Sequence, residues 1–214
     1  MRVQSGAEKL LGRIPAESVV IDLGCGNGNA AAWLAEHGHR GDYLGIDASP
    51  GLLDIACRAS YPFFAEFRQA DFLSPGWDSP LADGSCEFLL AFAVLHHLPG
   101  EAARKEFAAA CRRLVRPGGC VFLSSWQFLR SEKLRRRRVS WSDIGLRDSD
   151  VDEGDYLVDW RREGQGLRYV HVIGDEERKS LASQAGFFEM EFFRSDGEGG
   201  ILSDYAVWAP AVGR

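Results

Sequence analysis

From Ser18 to Trp126 short apolar runs alternate with amphipathic stretches, a pattern that predicts βαβ units feeding a mostly parallel sheet. The apolar runs place strands near Val19–Asp22, Asp42–Ile46, Ala65–Gln69, Glu87–Phe92 and Cys120–Ser125. Between them the spacing predicts helices near Asn29–His37, Gly51–Ala59 and Glu101–Val115, with a first helix at Gln4–Leu11. The third of these shows Ala103, Phe107, Ala110, Cys111 and Leu114 on one face and stops at Pro117-Gly118-Gly119. After Trp126 the alternation breaks, and no regular element is assigned before about Ile173. A helix then starts at Gly174-Asp175-Glu176-Glu177, with acids on its positive end, and finishes at Ala185-Gly186. Phe187–Arg194 and Asp204–Ala209 read as two strands joined by the glycine-rich link SDGEGGILS, which suits a hairpin.

Length and composition narrow this picture. The 214 residues predict one domain, 1–214, carrying an inserted lid or recognition segment at 127–173. Five cysteines without a CxxC pair or a histidine cluster argue against a disulfide framework and a zinc site, so no metal is expected. No window resembles a signal peptide or a membrane span, so the expected location is cytoplasmic, with no membrane partner. The net charge of −6 gives no global basic field for nucleic acid, so any such contact must be local.

The stretch VVIDLGCGNG carries the first candidate chemistry. Gly24, Gly26 and Gly28 follow a strand and open a helix, which lets backbone N–H groups close on a ligand. The dinucleotide pattern GxGxxG fails by one residue, because position 29 is Asn. Asp47 ends the next strand, where an acid can accept both hydroxyls of a ribose and repel a 2′-phosphate. Asp71-Phe72 follow the third strand, where a carboxylate can take an adenine amino group while a ring packs on the base. The alternative for Phe72 is a place in the core. Three acids without a nearby base make a poor polyphosphate site and a good site for a cationic adenosine derivative.

Taken in order, VVIDLGCGNG, GIDAS, QAD, FLLAFAVLHHL and CRRLVRPGG resemble the motifs of the class I S-adenosylmethionine-dependent methyltransferases, over roughly residues 15 to 126. The resemblance implies a doubly wound, Rossmann-like α/β fold. Its seven-stranded sheet would be mostly parallel with an antiparallel C-terminal strand pair, and S-adenosyl-L-methionine would be the cofactor. By the same resemblance Asp22 and the loop Gly24, Cys25, Gly26 and Gly28 surround the methionine moiety. Asp47 with Ala48 holds the ribose, Asp71 and Phe72 hold the adenine, and Ala91, Phe92 and Ala93 line the pocket. His96 and His97 stand at the carboxyl edge of the fourth strand, where His96 is a candidate to face the ligand, the alternative being a helix cap or a core position.

Methyl transfer from a sulfonium is an in-line displacement, and positioning supplies on the order of 7–11 kcal/mol of such a barrier. A carboxylate acceptor needs no general base, so no catalytic dyad is required. FAVLHHLPGEAARKEFAAACRRLVRPGG, SSWQF, DYLVDW and RYVHVI resemble, in fragments, the methyltransferases that esterify the carboxymethyl group of a tRNA wobble uridine. That resemblance implies Trp126, Tyr156, Arg168, Tyr169 and His171 as substrate-facing residues, with His96, Tyr156, Tyr169 and His171 as catalytic candidates. Local charge points both ways. Residues 127–147 hold Arg130, Lys133, Arg135, Arg136, Arg137, Arg138 and Arg147 against Glu132 and Asp143, which suits a phosphate backbone. Residues 148–159 hold six acids and no base, so the two runs can equally pair with each other. Trp141, Tyr156, Trp160 and Tyr169 suit either stacking on an extruded base or the apolar lid of a small-molecule pocket.

The acceptor thus stays open between a tRNA wobble base and a small molecule methylated on oxygen or nitrogen. A non-catalytic cofactor-binding subunit is the reading from another class, and intact Asp22, Asp47 and Asp71 speak against it. An activating protein partner is compatible with every version, and the oligomeric state is not encoded in any motif.

Overall fold

The computed structural model describes residues 3–160 and 166–211. In chain order the main body runs through α1 (Ser5–Leu11), β1 (Val20–Leu23), α2 (Asn29–Glu36), β2 (Tyr43–Asp47), α3 (Pro50–Arg58) and β3 (Ala65–Gln69). It continues with β4 (Cys86–Phe92), α4 (Glu101–Leu114) and β5 (Val115–Trp126). A middle segment follows, holding α5 (Glu132–Arg135), β6 (Arg138–Val139), β7 (Asp155–Trp160) and β8 (Gly166–His171). The body closes with α6 (Asp175–Gln184), β9 (Phe187–Ser195) and β10 (Ser203–Pro210).

The seven-stranded sheet has the order β3-β2-β1-β4-β5-β10-β9. Its first five strands pair in parallel, while β10 runs antiparallel to both β5 and β9, as the sequence implied. Side chains alternate between two cores with the period of a strand. Ile21, Leu23, Leu89, Ala91, Val121 and Leu123 point to the face covered by α4 and α6. Val20, Tyr43, Leu90, Phe122, Tyr205 and Val207 point to the opposite face, covered by α1 and α2. Burying each such large side chain contributes roughly 1.5–3 kcal/mol, which makes the apolar runs self-selecting as central strands.

Two departures from the expected pattern matter. First, β5 begins at Val115 rather than at Cys120, because Val115 already pairs with Cys86 ahead of an irregularity that holds Arg116–Gly119. The Pro117-Gly118-Gly119 turn is thus a bulge within the strand, with Gly118 at φ +81°. Second, the middle segment is not irregular. β6, β7 and β8 form an antiparallel three-stranded sheet around Phe128, Val158 and Val170. Positions 161–165 of the string DYLVDWRREGQGLRYVHVI lie outside the described residues. Among the described residues no helix is long and apolar enough to cross a membrane.

Candidate active site

The glycine loop after β1 is built by backbone geometry. Gly24, Gly26 and Gly28 have φ of +77°, +54° and +79°, a region that L residues with a Cβ rarely occupy. The N–H groups of Gly24 and Cys25 donate to the Ile46 carbonyl at 2.7 and 3.1 Å, which pins the loop onto β2. A Cβ at Gly24 would stand 2.3 Å from Val94, and one at Gly28 would stand 2.7 Å from the Tyr61 hydroxyl. At Gly26 the nearest atom would be 4.0 Å away, so the middle of the loop faces open space.

Three acids surround this loop differently. Asp47 accepts from the N–H of Gly26 and of Ser49, both at 2.8 Å, so two of its roughly four acceptor positions remain. Asp22 is buried and accepts from the Tyr43 hydroxyl at 2.5 Å. Burial pushes its carboxyl up to about 7, the Tyr43 hydrogen bond opposes this, and Asp47 adds to it. Asp71 is exposed and accepts from the N–H of Leu73 at 3.0 Å. The Cys25 thiol is raised by burial and then by Asp22 and Asp47, which makes it an inert lining group. The Ala48 carbonyl accepts from Gln69 at 3.3 Å.

Phe72 takes the core alternative: its ring meets Trp77 edge-on at 4.8 Å and Phe107 at 5.3 Å, against the α4 side of the sheet. Among the three residues expected to line a pocket after β4, Ala91 is sealed in the core and Phe92 packs toward Tyr205 at 6.2 Å. Ala93 is the one that faces a cavity. It is also one of two described non-glycine residues at positive φ, +58°, held there by its N–H bonds to the Ser124 carbonyl and hydroxyl.

That cavity, about 580 Å³, opens at the carboxyl edge of the sheet, where β4 and β5 meet the small sheet. Ala93, His96, His97, Trp126 and Trp160 form much of its wall. The two tryptophan rings stand 6.1 Å apart at 88°, and the Arg168 guanidinium lies 3.8 Å over Trp160. Lys133, Arg137 and Arg168 supply positive charge, and no acidic side chain lines the cavity among the described residues. Sequence reasoning placed Lys133 and Arg137 in a basic run without assigning them a site. Lys133 lies on the four-residue α5 and Arg137 in the turn that follows it, so helical spacing does not pair them in the sequence.

His96 accepts at Nδ1 from the N–H of Trp126 at 3.2 Å, and His97 donates from Nδ1 to the Tyr169 carbonyl at 3.0 Å. Burial holds His96 far below the usual imidazole value, with His97 and Arg168 adding to the effect. His97 is lowered by burial against its hydrogen bond to Tyr169, with Arg168 again working against a proton.

Three other candidates, Tyr156, Tyr169 and His171, lie outside the lining of this cavity. His171 is buried, with Nδ1 2.7 Å from Asp155 and Nε2 2.8 Å from Glu177. Tyr169 donates to the same Asp155 oxygen at 2.6 Å. Glu177 in turn accepts at 2.8 Å from the buried Arg104, which also donates to the Leu98 carbonyl at 3.1 Å. These groups clasp the small sheet to α4 and α6, and neither Tyr169 nor His171 lines the cavity. Burial opposes charge on His171, but the bonds to Glu177 and Asp155 outweigh it and raise its pKa. Tyr156 packs on Phe128 at 5.4 Å and lines a separate cleft with Trp141 and Asp152; it shares a face of β7 with Trp160 but stands four residues further along the strand.

The charge runs pair only in part with each other. Arg147 bonds Asp150 across their junction, while Arg130 reaches the buried Asp204 and Arg136 its neighbour Glu132.

Comparison with known proteins agrees with this geometry. A family described as "Methyltransferase domain" matches residues 21–123. The ubiquinone biosynthesis O-methyltransferase of Methylococcus capsulatus is 37% identical over 198 residues, covering 84% of this chain and 78% of that protein. The tRNA (carboxymethyluridine(34)-5-O)-methyltransferase of Mus musculus is 30% identical over 165 residues, 73% of this chain. The match spans only 23% of that much longer relative. Among solved structures, a SAM-dependent methyltransferase from Methanosarcina mazei shares the fold, with a TM-score of 0.75 at 18% identity over 100% of both chains. With the ordered motifs, the glycine loop and the sheet order in agreement, the chain belongs to the S-adenosylmethionine-dependent methyltransferases, and S-adenosylmethionine is its cofactor.

Proposed function

We propose that this enzyme methylates an acceptor carrying a carboxylate, with the carboxymethyl group of a tRNA wobble uridine as the first candidate. The observation that carries the reading is the cavity at the end of β4, with Lys133, Arg137 and Arg168 in its wall and no acid among its described lining residues. Such a wall holds a carboxylate by charge-assisted hydrogen bonds, and the tryptophans exclude water around it. A carboxylate is already the nucleophile at neutral pH, so orientation does most of the work and the neutral histidines need not remove a proton. The activity for which the mouse relative is named supports this acceptor, and residues 127–173 are the segment we assign to its recognition.

The loop and the acids fit the cofactor. Gly26 leaves open space, Asp22 is a buried carboxylate whose described hydrogen-bond donor is a neutral hydroxyl, and Asp47 keeps free acceptor positions. When bound, S-adenosylmethionine supplies an electrophilic methyl on a sulfonium. Asp22 and the loop would face its methionine part, Asp47 with Ala48 its ribose, and Asp71 its adenine amino group. Asp47→Ala is expected to weaken S-adenosylmethionine binding by about 1–3 kcal/mol, measured by calorimetry, with the circular dichroism spectrum unchanged. Unchanged affinity would place the ribose elsewhere.

Transfer of labelled methyl from S-adenosylmethionine to total tRNA, compared with a metabolite extract, tests the acceptor. The assay is run with and without an added activating subunit. Label in tRNA that is released by mild alkali, as an ester is, supports the proposal. Label only in the metabolite extract overturns it in favour of a small-molecule methyltransferase, the reading that the Methylococcus relative and a drug-sized cavity support. The five separated free cysteines suit a reducing compartment, the cytoplasm.

A further inference from the structure

The rings of His96 and His97 stand 4.2 Å apart at the floor of the acceptor cavity, and the main chain fixes each of them differently. The Trp126 N–H can only donate, so Nδ1 of His96 is unprotonated and the ring proton sits on Nε2. The Tyr169 carbonyl can only accept, so Nδ1 of His97 carries the proton and Nε2 keeps a lone pair. Burial keeps both rings neutral, since each is lowered from its ordinary value. Among the described residues the sealed side-chain atoms lacking a partner are on His39, Ser85 and Trp208, so neither Nε2 is shut into the interior. Both residues belong to the cavity lining, one with an N–H at Nε2 and the other with a lone pair there.

We propose that His96 and His97 read a lactam edge of the acceptor, a ring carbonyl next to a ring N–H, with His96 donating to the carbonyl and His97 accepting from the N–H. A uracil ring carries this edge. Cytosine presents an amino group beside an unprotonated ring nitrogen, so donor would face donor and lone pair would face lone pair. A site built around hydrogen bonds rejects such a mismatch strongly, because its own polar groups are left unpaired. The inference rests on the pyrimidine acceptor proposed above and adds which edge of the ring is recognised and by which atoms. His96 and His97 are thus specificity residues, separate from the cations that hold the carboxylate.

The test is calorimetry on the full chain saturated with S-adenosylhomocysteine, titrated with 5-carboxymethyluridine and with 5-carboxymethylcytidine. The uridine is expected to bind at least about tenfold more tightly. His96→Asn and His97→Asn each keep an amide group where Nδ1 stood but present nothing at Nε2, and each is expected to bring the two affinities within about threefold. Equal affinities in the wild type, or a preference for the cytidine, overturn the edge reading while leaving the carboxylate acceptor in place. Failure of both nucleosides to bind overturns the pyrimidine acceptor and this inference with it. Nitrogen-15 spectra of the histidines give a readout independent of ligand: a proton on Nε2 of His96 and on Nδ1 of His97 is expected, and the same tautomer on both overturns the proposal.

Discussion

Gly24→Ala is expected to abolish measurable methyl transfer and to lower stability by about 2–4 kcal/mol, whereas Gly26→Ala costs only about 1–2 kcal/mol. Both positions have positive φ, which an alanine adopts at a cost of about 1–2 kcal/mol. They differ in space. The added methyl at position 24 would stand 2.3 Å from Val94, while at position 26 nothing lies nearer than 4.0 Å. Val94 directly precedes the turn Leu95–His97, so relieving the clash displaces the histidine pair and the cofactor loop together. Thermal unfolding and S-adenosylmethionine calorimetry on the two variants check this. Equal stability of the two would show that Val94 yields without consequence.

Arg104→Ala is expected to destabilise the protein by about 3–5 kcal/mol, because it leaves buried charge without its partner. In a chain of this size that lowers the melting temperature by roughly 10 °C. Arg104 is buried and bonds Glu177, which bonds His171, which bonds Asp155 on β7. The loss should extend to transfer, since β8 carries both Arg168 and the Tyr169 carbonyl that orients His97. The same clasp gives stability a pH signature. The pKa of His171 is raised from 6.5, so its contribution is full below that value and fades as pH rises through the folded one. The pKa of Glu177 is lowered from 4.5 despite burial, so its contribution is present above 4.5 and fades in acid. Wild type should therefore exceed a His171→Leu variant in stability by more at pH 6 than at pH 9. A difference independent of pH would mean that folding leaves the His171 pKa unshifted, and one that grows toward pH 9 would mean that His171 is neutral in the fold.

The main sheet was legible because strands covered on both faces must be largely apolar, as Val20–Leu23 and Cys86–Phe92 are apart from Asp22 and Glu87. The glycine loop was legible because positive φ leaves few alternatives to glycine. The small sheet was not: β6 is two residues long, and in β7 the apolar run Tyr156–Val158 is cut short by the acids Asp155 and Asp159. The buried Arg104 could not be found from helix periodicity either, since its carboxylate partner lies 73 residues further on. The same limit hides the partners of Tyr169 and His171. A histidine beside a tyrosine on a strand has the same sequence whether carboxylates or a ligand await it, and here Asp155 and Glu177 do.

The position of β10 bears on how the molecule is assembled during synthesis. It is inserted between β5 and β9, yet every strand it separates precedes it in the chain. A growing polypeptide can thus complete the parallel half, β1 to β5, while β5 is still an unpaired edge that invites association with other chains. Leu202 and Ser203 also line the cavity at the end of β4. The parallel half can therefore form before the antiparallel pair exists, and a nascent chain stalled before β10 would be adhesive and would lack part of the cavity wall.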